Sequence, residues 1–286
     1  MIPDYECNKV YFSALLPKTA PQSYTGLTEV LDRYDVPYEL LEGTNDIWCR
    51  DYMPVQAGHH EFAYYKYNPD YLQGTKKYRA SITDGREIAR KLRFRPSGRI
   101  GDIRIDGGNV VRCDGKVIMT AKVFEENPGI TARQLTDMLE NAFAAEIIFV
   151  PWDPAEFFGH ADGICRYLGD DRVLLTNYRE IDSAMARRFV NCLKPHFAEV
   201  HELAYDVKPA YKDNWAYINW LQTDKVLILP SFGVPEDNRA LQQIEALMPT
   251  YCGRIEQVDA RDLIVHKGCF NCASWTILDV PDYSVY

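Results

Sequence analysis

A unit of about 55 residues recurs along the chain and constrains its fold more than any other feature of the sequence. Strand–turn–strand patterns typical of β-hairpins occur at 54–67, 109–120, 163–176 and 216–229. Their second strands are predicted to begin at Phe62, Val117, Val173 and Val226, with separations of 55, 56 and 53 residues. Five such units account for the 286 residues. Fixed-period self-similarity indicates a solenoid or a closed ring, and five units without distinct capping repeats favour the ring.

Helical patterns separate these hairpins. The clearest has apolar residues at 135, 138, 139, 142 and 143, and it opens with the capping pair Thr131 and Gln134. Weaker patterns lie at 27–34, 88–92, 185–193 and 241–248. Most are followed by a strand-like run, as at 147–150 and 200–204. Each unit therefore contains helix, strand and hairpin. No linker or change of composition divides the chain, so we predict a single domain over residues 1–286.

The charge balance limits the partners of the protein. There are 32 Lys and Arg residues against 41 Asp and Glu residues, a net charge of −9. An acidic chain repels phosphate backbones, and no apolar run approaches the ~20 residues that span a bilayer, so neither nucleic acid nor membrane is expected. The scattered cysteines and the absence of a basic, apolar leader predict a cytoplasmic location. The sequence leaves a homo-oligomer open.

Three aspartates share one offset in three successive units. Asp51, Asp106 and Asp162 each lie eleven residues before the predicted start of a second strand. Equal offsets would place the carboxylates at equivalent points of the units, and these points converge on the axis of a closed ring. A single aspartate there is a common turn residue. Three clustered carboxylates raise one another's pKa unless a cation neutralises them, so the pattern indicates a cation site.

The cation is a metal ion or a cationic substrate. Among the six histidines only His160 lies beside one of the aspartates, in the segment 159–163. A lone His-x-Asp is a sparse ligand set, and calcium would need a dense acidic loop that the sequence lacks. We therefore predict no metal and favour a cationic substrate. A guanidinium suits the site, because it is planar, permanently charged and matches carboxylates in a bidentate manner.

The pair Cys269 and Cys272 has four interpretations. Zinc would need a second pair, whereas the other cysteines are single and distant. A thioredoxin-like redox pair would need a following helix, whereas 273–280 resembles a strand. Two buried structural cysteines are a third interpretation. In the fourth, Cys272 begins the last strand and faces the carboxylates as a nucleophile, with its thiolate stabilised by protonated His160.

Six motifs follow one another along the chain. They are Trp48-Cys49-Arg50-Asp51 with Pro54, Asp106-Gly107-Gly108-Asn109, Gly159-His160-Ala161-Asp162, Trp215-Ala216-Tyr217-Ile218-Asn219, Pro230-Ser231-Phe232-Gly233 and Cys272. This ordered set, which covers nearly the whole chain, resembles the agmatine deiminases and Porphyromonas-type peptidylarginine deiminases of the guanidine-modifying superfamily. The resemblance implies an α/β pentein fold, a five-bladed α/β propeller of pseudo-fivefold ββαβ modules. The five units counted from spacing agree with it.

The resemblance also implies catalytic roles. Cys272 matches the family's nucleophile, which attacks the guanidinium carbon and forms a covalent thiouronium while ammonia leaves. His160 matches the general acid/base, and Asp106 the carboxylate that orients it. No cofactor is implied, because the substrate carries both the leaving group and the charge.

Substrate binding is implied by the same comparison of motifs. Asp51 and Asp162 match the pair that binds the guanidinium nitrogens. Trp48 is expected to pack either on the substrate or in the core, and Asn219 either near the site or on backbone groups.

The identity of the substrate stays open among several guanidines. Agmatine, giving N-carbamoylputrescine and ammonia, is the first hypothesis. Peptidylarginine, free arginine and amidino transfer are alternatives. Free arginine would need a basic residue that faces its α-carboxylate, and Arg50, Arg166 and Lys267 adjoin the motifs. A non-catalytic binding scaffold with the same fold is a further alternative. The turn-rich segment 70–77 is predicted to be a flap over the mouth of the ring.

Overall fold

The computed structural model describes residues 1–97, 101–154, 157–206 and 216–280, so Trp215 of the fourth motif lies outside the described residues. The strands, numbered in chain order, are β1 Lys9–Ser13, β2 Tyr38–Leu41, β3 Val55–Gly58, β4 Glu61–Ala63, β5 Arg95–Ser97, β6 Val111–Arg112, β7 Lys116–Thr120, β8 Glu146–Val150, β9 Cys165–Gly169, β10 Arg172–Leu175, β11 Glu199–Glu202, β12 Leu221–Gln222, β13 Leu227–Ser231, β14 Ile255–Asp259 and β15 Ser274–Ile277. The helices are α1 Leu16–Thr19, α2 Pro21–Arg33, α3 Cys49–Tyr52, α4 Lys76–Ala80, α5 Gly85–Lys91, α6 Lys122–Glu126, α7 Ala132–Phe143, α8 Tyr178–Ile181, α9 Ser183–Leu193, α10 Glu236–Leu247, α11 Arg261–Ile264 and α12 Phe270–Ala273. None of the described helices is long and apolar enough to cross a membrane.

The described strands form five three-stranded sheets of one topology. In each sheet the central strand pairs antiparallel with one neighbour and parallel with the other. Four sheets follow the chain as β3-β4-β5, β6-β7-β8, β9-β10-β11 and β12-β13-β14. A helix joins each central strand to its parallel neighbour, which gives the predicted ββαβ module. The central strands begin at positions 61, 116, 172 and 227, at intervals of 55, 56 and 55, so the repeat read from the sequence is confirmed.

The fifth sheet is built from both ends of the chain. Its order is β15-β1-β2, and β1 pairs antiparallel with β15 from Lys9↔Ile277 to Phe12↔Ser274. Strand β2 then pairs parallel with β1 after helix α2. The hairpin that is continuous in the other four modules is therefore split here between two distant segments of sequence. This pairing closes the five modules into the predicted propeller.

Local sequence explains how the modules form. Thr131 and Gln134 make the predicted reciprocal capping box at the start of α7. The apolar face of α7 then packs on its own sheet, with Leu139 and Phe143 in one buried cluster with Val117. Gly115 turns the β6–β7 hairpin with a positive φ of 65°, which glycine adopts without steric cost. The five predicted helices correspond to α2, α5, α7, α9 and α10.

A short turn precedes the first strand of each module and carries the site residues. These turns are α3, Gly107–Asn109, Ala161–Gly163 and α12, together with the segment that ends at Asn219. The turn Gly107–Asn109 contacts both α3 and Ala161–Gly163, while α3 also contacts α12. The side chains that the turns carry therefore meet at the centre of the ring.

Candidate active site

Cys272 lies in the single-turn helix α12 and points at a carboxylate. Its Sγ is 3.6 Å from Oδ2 of Asp162, and Asn271 Nδ2 donates a hydrogen bond of 2.7 Å to the same oxygen. Asn219 holds this turn, because its Oδ1 accepts from the Cys272 backbone N–H at 3.2 Å and its backbone oxygen accepts from the N–H of Asn271 at 3.0 Å. Cys272, the nucleophile predicted from the sequence, thus faces the predicted carboxylate of Asp162 directly, and the two asparagines hold both residues in place.

The structure separates the two cysteines of the Cys-x-x-Cys pair. Cys269 is fully buried and packs with Leu263 and Phe270 in an apolar cluster, where burial raises the pKa of its thiol. Cys272 is half-buried, and both cysteines are free thiols. One member of the pair is a core residue, and the other belongs to the site.

His160 forms a close pair with Asp106. Its Nε2 lies 3.0 Å from Asp106 Oδ2, and the hydroxyl of Tyr71 donates to the same oxygen at 3.0 Å. Nδ1 of the ring lies 3.8 Å from Asp51 Oδ1. Burial lowers the pKa of His160, but Asp51 and the hydrogen-bonded Asp106 outweigh it and raise the pKa to about 10. The direct hydrogen bond to Asp106 favours the imidazolium form of the ring even where Asp51 is protonated.

Asp51 lies between His160 and the turn that follows Asp106. The backbone N–H of Gly108 donates to Asp51 Oδ1 at 3.1 Å. Burial raises the pKa of Asp51 to about 8 in spite of the positive charge of His160, and the carboxylates of Asp106 and Asp162 raise it further. Asp51 is therefore largely protonated at neutral pH until a further cation enters.

Burial also sets the protonation of the thiol. It raises the pKa of Cys272 well above that of an ordinary cysteine, and the charges of Asp162 and Asp51 act in the same direction. Hydrogen bonds from Asn219 and from a backbone N–H oppose this shift without reversing it. The pocket therefore holds excess acceptor groups and a neutral thiol, and a cation bound between Asp51 and Asp162 would lower both raised pKa values. Among the residues that the structure describes, no three His, Cys, Asp or Glu side chains have the arrangement of a metal site.

The three aspartates meet as predicted, although their places in the turns differ. Asp106 directly precedes its turn, Asp162 is the second residue of its turn, and Asp51 is the third residue of α3. They are thus not at strictly equivalent points. The equal offset of eleven residues holds because differences in hairpin length compensate for the different places in the turns.

Trp48 and Asn219 have different surroundings. Trp48 is half-buried and packs against an apolar cluster that includes Ile47 and Phe270. A Cβ atom at position 268 would lie 2.6 Å from its ring, so Gly268 allows the loop before Cys269 to contact this tryptophan. Asn219 belongs to the site itself, and its Nδ2 also lies 3.4 Å from Asp162 Oδ2.

The segment predicted as a flap lies over His160. The turn Asp70–Leu72 places the ring of Tyr71 edge-on to His160 at 6.2 Å and to Phe158 at 5.0 Å. Lys122 fastens this turn, because its Nζ donates to Asp70 Oδ1 at 3.0 Å and to the Phe158 carbonyl at 2.8 Å.

Sequence reasoning missed three of the residues that shape the pocket. Tyr71, Gly108 and Asn271 donate hydrogen bonds to Asp106, Asp51 and Asp162, a contact that the sequence did not predict for any of them. Gly108 and Asn271 lie inside or next to the motifs, and that proximity is the signal that could have found them.

Two of the three basic residues considered for a substrate carboxylate are engaged elsewhere. Arg50 and Arg166 both form ion pairs with Asp4. Lys267 is exposed, and its Nζ lies 5.8 Å from the centre of the Phe157 ring. Lys267 is thus the one of the three that can reach a ligand at the mouth.

Five ββαβ modules around an axial Cys, His and carboxylate pocket define a five-bladed α/β propeller of the pentein type. The model of the Porphyromonas-type peptidyl-arginine deiminase family matches residues 20–277. The chain belongs to that family, as the motifs predicted.

Named relatives are consistent with this membership. The agmatine deiminase of Pseudomonas savastanoi pv. phaseolicola is 25% identical over an alignment of 317 positions, gaps included, which covers 90% of this chain and 81% of the relative. The solved agmatine deiminase of C. jejuni superposes with a TM-score of 0.76 at 16% identity, over 97% of this chain and 95% of that one. That of Enterococcus faecalis gives 0.75 at 16% identity, over 98% and 96%. These solved structures confirm the predicted fold.

Proposed function

We propose that the protein is a hydrolytic deiminase that converts agmatine to N-carbamoylputrescine and ammonia. The observation that carries the proposal is the position of Cys272 Sγ, 3.6 Å from Asp162, in the pocket that also holds the His160–Asp106 pair. A thiol, an imidazolium and two further carboxylates are the groups that displacement of ammonia from a guanidinium requires. The relatives named agmatine deiminase support the choice of substrate.

Binding prepares the nucleophile. Asp51 and Asp162 accept hydrogen bonds from the guanidinium and hold its carbon in reach of Cys272. The entering positive charge offsets the excess of carboxylates, which lowers the pKa of Asp51 and of the Cys272 thiol. The thiol of the free pocket is thus neutral, and substrate binding causes its proton to leave to solvent, which generates the thiolate.

The first half of the reaction forms the covalent intermediate. The thiolate electron pair forms a C–S bond to the guanidinium carbon, and the cation becomes a neutral tetrahedral adduct. Imidazolium His160 gives its proton to a terminal amino group, and the C–N bond breaks with loss of ammonia. A thiouronium on Cys272 and a neutral His160 remain, with Asp106 holding the ring.

The second half consumes water. Neutral His160 takes a proton from water as the hydroxide adds to the thiouronium carbon. The C–S bond then breaks with its electron pair on sulfur, and the hydroxyl proton of the adduct passes to that thiolate as the neutral ureido product forms. The site is restored for another cycle without any cofactor.

The surroundings of the pocket favour an amine over an amino acid. Free arginine would bring a carboxylate, yet Arg50 and Arg166 are both paired with Asp4. Lys122 is paired with Asp70 and lies 3.5 Å from Glu126. Of Arg50, Arg166 and Lys267, only Lys267 has no ion pair among the described residues, so arginine stays a second candidate. Lys267→Ala would lower activity on arginine but not on agmatine if arginine is accepted.

Ammonia release from agmatine, arginine and an arginine-containing peptide, measured side by side, tests the proposal. Cys272→Ala should abolish release, whereas Cys252→Ala, at an exposed cysteine, should leave it unchanged. Release from arginine or the peptide alone would replace agmatine as the substrate. No release from any of them, together with no labelling of Cys272 by a haloacetamidine, would leave a non-catalytic scaffold.

A further inference from the structure

A second buried polar cluster lies beside α12, the single-turn helix that carries Cys272. Asp4, in the turn Asp4–Glu6, forms ion pairs with three arginines: Arg50 at 3.6 Å, Arg166 at 3.1 Å, and Arg112. The arginines come from three modules, at α3, β6 and β9. Their side chains are 3–8% exposed, so one carboxylate and three guanidinium groups share a nearly closed space.

The charges of this cluster do not balance. Among the described residues, Asp4 is the one carboxylate that pairs with these arginines, so three positive charges meet a single negative one. Buried charges are costly unless they are paired, and arginine does not lose its proton in proteins. The three guanidinium groups hold the pKa of Asp4 far below its ordinary value, although burial acts in the opposite direction. Removal of the Asp4 carboxylate would leave three unpaired cations in mutual repulsion.

Two of these arginines, Arg50 and Arg112, also hold the segment that carries Cys272. Arg50 Nε donates to the Asn271 carbonyl at 3.3 Å, and its Nη2 donates to Thr276 Oγ1 at 3.2 Å. Arg112 Nη2 donates to the same Thr276 oxygen at 2.7 Å, and the Thr276 hydroxyl donates to Asp4 Oδ1 at 3.2 Å. Asn271 and Thr276 lie on either side of Cys272 in sequence. The cluster therefore fixes both ends of the short segment that presents the thiol.

We propose that Arg50, Arg112 and Arg166 form a carboxylate-binding site that Asp4 fills, and that filling it positions Cys272. Asp4 is then a positioning residue, because it touches neither the thiol nor the substrate. Removal of the Asp4 carboxylate would open the space for a small anion, because the free space already beside the cluster is at most the size of a water molecule. A cavity of about 10 Å³, lined by Arg50, Arg112 and Trp275 among others, adjoins it. The Nε of Arg112 is buried and has no hydrogen-bond partner among the described residues.

Chemical rescue tests both halves of this proposal. Asp4→Ala removes the carboxylate but keeps the Cβ atom, so formate is the anion that matches the missing group. We expect the variant to lose about 100-fold in kcat with little change in KM, because a displaced nucleophile slows the chemical step more than binding. Formate should restore kcat with a saturable dose dependence and should raise the Tm of the variant. If Asp4→Ala is unfolded on its own, formate should restore the fold as well.

Asp4→Asn is the matched control. Its neutral amide fills the space that formate would need, so this variant should lose activity and gain nothing from formate. Asp259→Ala removes an exposed carboxylate that is paired with Arg261, and it should behave as the unmodified protein with and without formate.

The positioning role rests on the proposed function, so it also needs a measurement that does not depend on turnover. The rate at which a haloacetamidine alkylates Cys272, followed by mass spectrometry of its peptide, should fall in Asp4→Ala and recover with formate. A normal rate and normal kcat in folded Asp4→Ala would overturn the positioning role. A fall that formate does not reverse, in Tm or in rate, would overturn the carboxylate site. Inactivity of the unmodified protein towards every guanidine would instead count against the proposed function alone.

Discussion

Single carboxylate oxygens in this pocket receive several donors at once. Asp162 Oδ2 lies within 3.6 Å of Cys272 Sγ and accepts a hydrogen bond from Asn271, while Asp106 Oδ2 is shared by Tyr71 and His160. Each of these two oxygens thus holds two neighbouring side chains in place at once.

Asp51 should release its proton when substrate binds. The pKa of about 8 leaves its carboxyl mostly neutral in the free protein at pH 7, and a bound guanidinium requires the charged form. Below pH 8 the affinity for agmatine should therefore rise about tenfold per pH unit, and it should level off above that pH. Calorimetry on Cys272→Ala in buffers of different ionisation enthalpy counts the protons, with about one expected at pH 7. Binding that takes up or releases no proton there would contradict a neutral Asp51.

Tyr71→Phe should shift the titration of His160 upward. The lost hydroxyl removes one donor from Asp106 Oδ2, so that oxygen interacts more strongly with the imidazolium and raises its pKa. We expect the alkaline limb of the kcat profile to move to higher pH by about one unit, which is the effect of a hydrogen bond to a charged group. Tyr78→Phe, at an exposed tyrosine, is the control. An unchanged pH profile would mean that Tyr71 covers the ring without affecting its charge.

The short turns before each sheet are the elements that assemble the site. They pack so closely that a backbone atom of one turn touches the side chains of two others. Gly108 is the clearest case, because a Cβ atom there would lie 2.5 Å from His160 Nδ1 and 2.7 Å from Asp51 Oδ1. The second glycine of the Asp-Gly-Gly-Asn motif is thus required because a side chain would not fit at this position.

Gly108→Ala should displace both His160, the proposed acid/base, and Asp51, the proposed substrate-binding carboxylate. We expect kcat/KM to fall about 100-fold, with a loss of roughly 1–3 kcal/mol in the free energy of unfolding. Gly163→Ala is the matched control, since Gly163 lies in the corresponding turn and its Cβ would meet nothing within 4 Å. Kinetics and urea unfolding of the two variants separate the effects. Equal behaviour of both would show that the close approach at Gly108 is relaxed in solution.

Sequence predicts the elements of this fold better than the contacts between their turns. Hairpins and helices were predictable because their signals are local, such as the capping box at Thr131 and the glycine at 115. The meeting of the three aspartates was predictable from the repeat, because residues at the same offset in successive modules lie at similar positions around the ring. The asparagine contacts of Cys272 and the arginine cluster around Asp4 were not, since they join residues far apart in sequence and follow no period.

At the scale of the whole molecule, the stability of the ring depends on one sheet that no continuous hairpin holds. Trp275 of β15 is 2% exposed and packs against Tyr11 at 5.1 Å and against Phe62 of the next module at 5.8 Å. Its Nε1 also donates to the Pro54 carbonyl at 2.8 Å. This residue joins β15 to its own sheet and to the neighbouring module.

Trp275→Ala should therefore destabilise the entire ring by roughly 3–5 kcal/mol, as truncation of a buried aromatic residue does. Trp275→Phe should cost less, because it keeps most of the apolar area and loses the hydrogen bond to Pro54. Val265→Ala, at a side chain that is 69% exposed, should change little. Circular dichroism and Cys272 alkylation during urea unfolding should report the same transition if residues 1–286 form one domain. Separate transitions would show that the modules unfold independently.

The split sheet also determines how the protein would respond to force. Lys9 and Ile277 face each other at the end of the β1–β15 ladder where the chain enters and leaves it. A pull applied beyond these two residues would load the hydrogen bonds one after another, as a zipper opens, instead of shearing them together. The last pair to part, Phe12↔Ser274, lies two residues from the candidate nucleophile. Tethering the protein to a surface through both ends would therefore strain the thiol last, after the outer pairs of the ladder have parted, whereas a tether through one end would leave it untouched.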